Sequence, residues 1–268
     1  MAEKKPRWMP DWKALMAEAE QVRLEETDGH VYLVADSHLG DRQADPAAFV
    51  AMLEKLPKAR MVVLMGDLFQ VWLAYPKFWD TPTRNVLQAL QAVRDKGVQV
   101  VMIQGNREFF LPASIKEAHR RGLPFDRVVP GAMVLDWAGR KLGLAHGDLA
   151  NRHDTSYLKW RRFSRSTAFE WAFRLMPGHL ARRLSRELER ILSGTNTELK
   201  ISYPAEELAA FAAAVLPGLD GFFIGHFHRE ETLKADGQQA VLRIVPDWMG
   251  TRTVFRLDSG GGVEPLKF

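Results

Sequence analysis

The sequence predicts an α/β fold organised around a parallel sheet. Three apolar runs carry this expectation: Val31-Tyr32-Leu33-Val34-Ala35, Met61-Val62-Val63-Leu64-Met65 and Val98-Gln99-Val100-Val101-Met102-Ile103. Each is short and β-prone, as a strand buried on both faces is. Helical patterns separate them, from Pro46 to Leu56 and from Thr83 to Lys96, the second stopped by Gly97. Consecutive strand-helix-strand units with right-handed crossovers align the carboxyl ends of their strands. Those ends read Asp36-Ser37-His38, Gly66-Asp67-Leu68-Phe69 and Gly105-Asn106-Arg107-Glu108. Ligands collect at this edge of an open α/β sheet.

Ahead of the first strand, residues 1–28 read as a helical extension. Asp11 is placed to cap a short helix with Trp12, Leu15 and Met16 on its apolar side. Residues 29–268 read as the main domain. After the third strand, Pro112 to Arg121 is helical and Met133–Trp137 with Lys141–Ala145 forms a hairpin turning at Ala138-Gly139. The hairpin ends in His146-Gly147-Asp148. A further strand, Gly221-Phe222-Phe223-Ile224, ends in Gly225-His226-Phe227-His228, and Ala240–Val245 and Thr251–Leu257 read as antiparallel closing strands.

The first three ligand sets therefore converge, and with the later blocks the candidate set is Asp36, His38, Asp67, Asn106, His146, His226 and His228. Read singly, each block is also an ordinary turn, helix cap or surface histidine. Together, carboxylate, imidazole and amide donors suit divalent manganese, iron or zinc. Seven donors exceed the need of one ion. Two ions about 3.5–4 Å apart sharing one carboxylate can activate a water and neutralise a phosphoryl centre. Asp67 is the candidate bridge, and Arg107 offers a planar fork suited to phosphate.

These blocks, in this order over residues 36–228, resemble the calcineurin-like metallophosphoesterases, whose pattern is Asp-x-His, Gly-Asp, Gly-Asn-His-Asp/Glu, Gly-His and Gly-His-x-His. The resemblance implies an αββα sandwich. It implies one divalent cation, most often Mn2+, on Asp36, His38, Asp67 and His228, and a second on Asp67, Asn106, His146 and His226. Arg107 stands where most of the superfamily has histidine. With Gly66-Asp67-Leu68-Phe69 and Val71-Trp72, that variant resembles the UDP-2,3-diacylglucosamine diphosphatases of lipid A biosynthesis. Glu108, where that family usually has Asp, and the longer N-terminus are departures. The resemblance implies attack of a metal-activated hydroxide on the α-phosphorus, with Asp67, Asn106, Arg107, His146 and His226 as catalytic residues. The products would be UMP and 2,3-diacylglucosamine 1-phosphate.

Residues 151–204 read as a helical insertion rich in aromatic and basic residues. From 155 to 200 there are ten Lys/Arg against four Glu, a net +6 within a chain of net +4. This is either a helical pair with its own small core or an amphipathic lid able to lie on an anionic bilayer. Composition alone also allows single-stranded nucleic acid. The resemblance favours a lid over an acylated UDP-sugar, with no nucleic acid partner. It implies substrate contacts at Asn106, Arg107, Asp154, Tyr157, Ser193, Asn196, Lys200 and His226. A phosphodiesterase or phosphatase acting on a soluble nucleotide or phosphoprotein is the alternative.

The chain has no cysteine, which excludes disulfides and thiolate-bound zinc or iron–sulfur clusters. With no apolar segment behind its basic N-terminus, the expected location is cytoplasmic, peripheral to the inner membrane.

Overall fold

The computed structural model describes residues 9–25, 28–40, 44–177, 184, 187 and 203–268. Among these, two six-stranded sheets lie face to face. In chain order the strands are β1 (Glu20–Leu24), β2 (His30–Val34), β3 (Ala59–Leu64), β4 (Trp72–Leu73), β5 (Gln99–Ile103), β6 (Glu108–Phe109) and β7 (Arg127–Val129). They continue with β8 (Ala132–Trp137), β9 (Arg140–Ala145), β10 (Gly221–Ile224), β11 (Glu231–Lys234), β12 (Val241–Ile244), β13 (Thr253–Asp258) and β14 (Val263–Lys267). The helices are α1 (Trp12–Ala17), α2 (Pro46–Glu54), α3 (Thr81–Asp95), α4 (Ile115–Arg120), α5 (Thr155–Ser164), α6 (Thr167–Leu175), α7 (Ala205–Val215) and α8 (Trp248–Thr251).

One sheet has the order β14-β13-β2-β3-β5-β7 and the other β1-β8-β9-β10-β12-β11. Side-chain alternation divides the core. In the first sheet Val31, Leu33, Met61, Val63, Val101 and Ile103 point between the sheets, where they meet Met133, Leu135, Leu144 and Phe223. Their neighbours Tyr32, Val34, Val62, Leu64, Val100 and Met102 pack outward against Phe49 and Met52 of α2 and Val86, Leu87 and Leu90 of α3. The second sheet's outer face, with Val134, Phe222, Ile224 and Leu242, is covered by Trp12 of α1 and Leu208 and Phe211 of α7. The result is an αββα sandwich, and burial on both faces explains why the strands are apolar throughout rather than alternating.

Asp45 caps α2 by accepting from the amides of Ala47 and Ala48, and Asp80 caps α3 through Thr83. The β8–β9 hairpin closes through Ala138 and Gly139, both at positive φ (51° and 77°), as a two-residue turn matched to strand twist requires.

Two sequence expectations change. Residues 20–24 are not part of a purely helical extension: β1 pairs in parallel with β8 from Glu20↔Met133 to Leu24↔Trp137. Val22 and Leu24, too few to read as a run, are buried between the sheets. The last segments are each antiparallel to a neighbour as expected, β12 to β11 and β13 to β2, but they lie in different sheets. β12 runs parallel to β10, while β13 lies in the other sheet, antiparallel to β2 and β14, and begins at Thr253 because Trp248–Thr251 is helical.

Register places the site. Val34 is level with Leu64, and Leu64 with Met102, so β2, β3 and β5 end together. Ala145 is level with Ile224, and Ile224 with Ile244, so β9, β10 and β12 end together in the facing sheet. Trp248 N donates to Ala35 O at 2.8 Å across the two groups.

Candidate metal centre

The seven predicted side chains meet at this shared edge. Asp36, His38, Asp67, His146, His226 and His228 are buried and Asn106 is half-buried. They fall into two groups with donor atoms within 4.8 Å of one another: Asp36, His38 and His228, and Asp67, His146 and His226. Asp67 lies between them. Its Oδ2 is 3.8 Å from His38 Nε2 and its Oδ1 is 3.6 Å from His146 Nε2, so each oxygen faces one group. Asn106 Oδ1 joins the second group, 2.9 Å from His146 Nε2.

The backbone is held tightly to achieve this. Asp36, His38, Asp67, His226 and His228 all have positive φ, between 42° and 70°. A non-glycine residue adopts that conformation at a cost, and such strain concentrates at functional sites. Glycines allow the loops to touch. A Cβ on Gly105 would lie 2.6 Å from Asp67 N, and one on Gly225 would lie 2.7 Å from Asp36 Oδ2.

The donor set fits divalent cations. His146 Nδ1 lies 2.8 Å from Met65 O, which can only accept. The proton is therefore on Nδ1, and Nε2 presents its lone pair to the cluster, as a ligating histidine requires. His228 Nδ1 is directed at Asp247, 3.7 Å away, and its Nε2 lies 3.3 Å from His38 Nε2. Asp36 Oδ2 accepts from His226 N at 2.7 Å, while the buried Asp36 Oδ1 has no hydrogen-bond partner. A buried carboxylate oxygen left so is costly unless a cation satisfies it.

Electrostatics without a cation describe the same charge crowding. Burial raises Asp36 to about 6 and lowers His226 to about 3. Burial also acts to lower His146, but Asp67, Asp36 and Asp148 outweigh it and raise it to about 9. Burial, reinforced by Asp67, raises Glu108 to about 8 against three amide donors that favour its charged form. Arg107 is 1% exposed, with Nε 3.8 Å from Asp67 Oδ2 and its amide donating to Asp67 Oδ1 at 2.9 Å.

The insertion residues separate. Tyr157 turns inward and donates its hydroxyl to Asp148, its ring 6.4 Å from that of His226. Asp154 instead caps α5, accepting from Tyr157 N at 2.9 Å, and is exposed, so its side chain does not join the cluster. Ser193, Asn196 and Lys200 lie outside the described residues.

Sequence reasoning left several residues without a role. Asp148 accepts from Tyr157 and from Arg161 Nε at 2.7 Å, and Arg165 Nη2 donates to Gly105 O at 2.8 Å. Tyr157 and Arg161 of α5 and its C-cap residue Arg165 are spaced by four, a stripe visible in the sequence. Asp247 had no such signal, because only the parallel pairing of β12 with β10 brings it to this edge.

A profile of the calcineurin-like phosphoesterase family matches residues 29–230. The chain belongs to that family. This phosphoesterase is a hydrolase, and its fold is the one the ordered blocks implied. It is 31% identical over 248 residues to a UDP-2,3-diacylglucosamine hydrolase of Stenotrophomonas maltophilia, covering 85% of this chain and 94% of the relative. A protein of the same name from Pseudomonas entomophila is 29% identical, with 89% and 99% covered. Among solved structures, an archaeal phosphodiesterase superposes with a TM-score of 0.46 at 11% identity, covering 89% of this chain and 99% of its own.

Proposed function

We propose that this phosphoesterase hydrolyses the diphosphate bond of UDP-2,3-diacylglucosamine, giving UMP and 2,3-diacylglucosamine 1-phosphate. The observation that carries the reading is a pair of carboxylate–imidazole groups able to hold two cations, beside an insertion with an unburied apolar face. Relatives matched over nearly their full length, named for that substrate, support it. Two divalent cations, which we take to be manganese, would be held by Asp36, His38, Asp67 and His228 and by Asp67, Asn106, His146 and His226. When bound they supply an activated water and charge neutralisation at phosphorus.

The chain's own groups do the rest. One water is consumed: its oxygen ends on the α-phosphorus, released as UMP, and the bridging oxygen leaves with the sugar phosphate. Arg107, kept charged beside Asp67, holds the phosphate that leaves. Tyr157 stays protonated, because burial and the adjacent Asp148 raise its pKa well above the ordinary phenol. Its one hydroxyl proton is donated in the hydrogen bond to Asp148, so it braces that carboxylate and adds no charge of its own. His226 and Asn106 both adjoin His146, His226 Nδ1 at 3.2 Å and Asn106 Oδ1 at 2.9 Å from its Nε2.

The insertion supplies the apolar side. Phe173 is buried with Leu73, Phe109 and Phe110, and Trp160 and Phe169 pack against them. Phe163, Trp171 and Leu175 remain 56%, 50% and 77% exposed. Large apolar groups left in water beside exposed Lys159, Arg162 and Arg174 suit acyl chains and an anionic bilayer, which would keep the enzyme at the cytoplasmic face of the inner membrane. Among the described residues no helix is long and apolar enough to cross a membrane.

The test is a product assay with manganese, giving the acylated substrate in mixed micelles and a water-soluble UDP-sugar in H2 18O. UMP from the acylated substrate alone, carrying the label, is the expected result, and Arg107→Ala should lower that turnover at least about tenfold. Cleavage of the soluble ester with the lipid untouched would refute the substrate. Label in the sugar phosphate would refute the site of attack.

A further inference from the structure

We propose that Glu108 is the positioning residue that sets the bridging carboxylate Asp67 between the two cation groups. The proposal rests on the two-cation reading of the cluster and is independent of the substrate. Glu108 is 1% exposed and holds two loops at once. Its Oε1 accepts from Leu68 N at 2.9 Å, and its Oε2 accepts from Asp67 N at 3.0 Å and from Gly105 N at 2.7 Å. One side chain therefore ties the loop after β3, which carries Asp67, to the loop after β5, which carries Asn106 and Arg107. The tie is itself anchored, since Gln104 Nε2 donates to Glu108 O at 3.0 Å.

The loops it joins have no slack. A Cβ on Gly105 would sit 2.6 Å from Asp67 N and 2.8 Å from Glu108 Oε2. Asp67 is held at φ 54° with its Oδ1 also accepting from Arg107 N. Rotating or lifting Asp67 would unbalance the reach of its two oxygens, 3.8 Å to His38 and 3.6 Å to His146. Both Glu108 oxygens receive amide protons, so a glutamine at 108 must turn its NH2 toward at least one amide N–H, and that contact pushes a loop away. An aspartate at 108 keeps the carboxyl group but falls short by one carbon–carbon bond, about 1.5 Å.

The experiment is a Mn2+ titration of wild type, Glu108→Gln and Glu108→Asp followed by EPR. Free Mn2+ gives affinity and stoichiometry, and spin coupling reports two ions sharing a bridge. Groups that orient metal ligands typically change affinity or activity by about 10–100-fold. Glu108→Gln should weaken Mn2+ binding at least about tenfold on that scale and lose the coupled signal. Glu108→Asp should keep the fold and weaken binding by a smaller factor, about threefold or more. Affinity and coupling equal to wild type in Glu108→Gln would overturn the proposal. So would a variant less stable without metal but spectroscopically identical once loaded, since that is a structural role only. Should Glu108→Gln fail to fold, wild-type affinity and coupling in Glu108→Asp would overturn it equally. An uncoupled wild type would overturn the two-cation reading and this proposal together. A coupled wild type without activity on the acylated UDP-sugar, with the Glu108 effects present, would refute the substrate and support the positioning role.

Discussion

Arg161→Met tests whether the insertion is anchored to the metal edge by a buried charge pair. Arg161 Nε lies 2.7 Å from Asp148 Oδ2, with side chains 19% and 5% exposed. Burial alone would raise Asp148; Arg161, followed by His146, Arg165 and His226, instead holds it well below the usual carboxylate range. Methionine keeps most of the stem and removes the charge. Removing one partner of a buried pair costs about 3–5 kcal/mol. The hydroxyl of Tyr157 still donates to Asp148 and Arg165 remains near, so about 2–3 kcal/mol is expected at pH 7. The sign with pH follows from the depressed pKa. The pair's contribution is complete above the ordinary carboxylate value of 3.8 and is lost as pH falls below it. The difference between wild type and variant should therefore stay level above about pH 5 and narrow progressively as pH falls below about 4. Urea unfolding across that range is the assay, with Asp148→Asn/Arg161→Met closing the cycle and recovering more than half of the loss. A loss below about 1 kcal/mol at pH 7 would mean that the pair is effectively solvated, as surface pairs are, and would refute the anchoring argument.

Two further outcomes follow from the site and the insertion. His146, at about 9 without metal, must lose its imidazolium proton to bind, so Mn2+ affinity should rise by about a decade per pH unit from pH 6 to 8; a flat affinity over that range contradicts the charge assignment. Phe173→Ala removes a ring 2% exposed and 5.5 Å from Phe110. It should cost about 3–5 kcal/mol of the packing that seats α6 and raise KM for the acylated substrate while leaving Mn2+ stoichiometry unchanged, measured by kinetics and EPR on the same preparation.

The strand ends were legible because each block is local. An apolar run followed by Asp36-Ser37-His38 or Gly66-Asp67 announces both a strand and what it delivers. Parallel pairing then follows from the intervening helices, so convergence of Asp36, Asp67 and Asn106 could be read before any coordinates. Tyr157 was likewise marked by its place after the His146 block, but Asp154 from the same stretch proved to be a helix cap. An exposed carboxylate before a helix serves its own N-terminus unless tertiary contacts turn it elsewhere.

What the sequence by itself determined is the ligand chemistry and the β2–β3–β5 layer, since period and turn chemistry act over a few residues. Only the tertiary structure decided how distant segments share a surface. It placed β1 in the second sheet, sent β12 and β13 to different sheets, and brought Asp247 behind His228. It also showed that Glu108, two residues beyond Asn106, turns its carboxylate onto the backbone of another loop. Such roles depend on backbone amides, and an amide looks the same at every position of a sequence until the fold aims it.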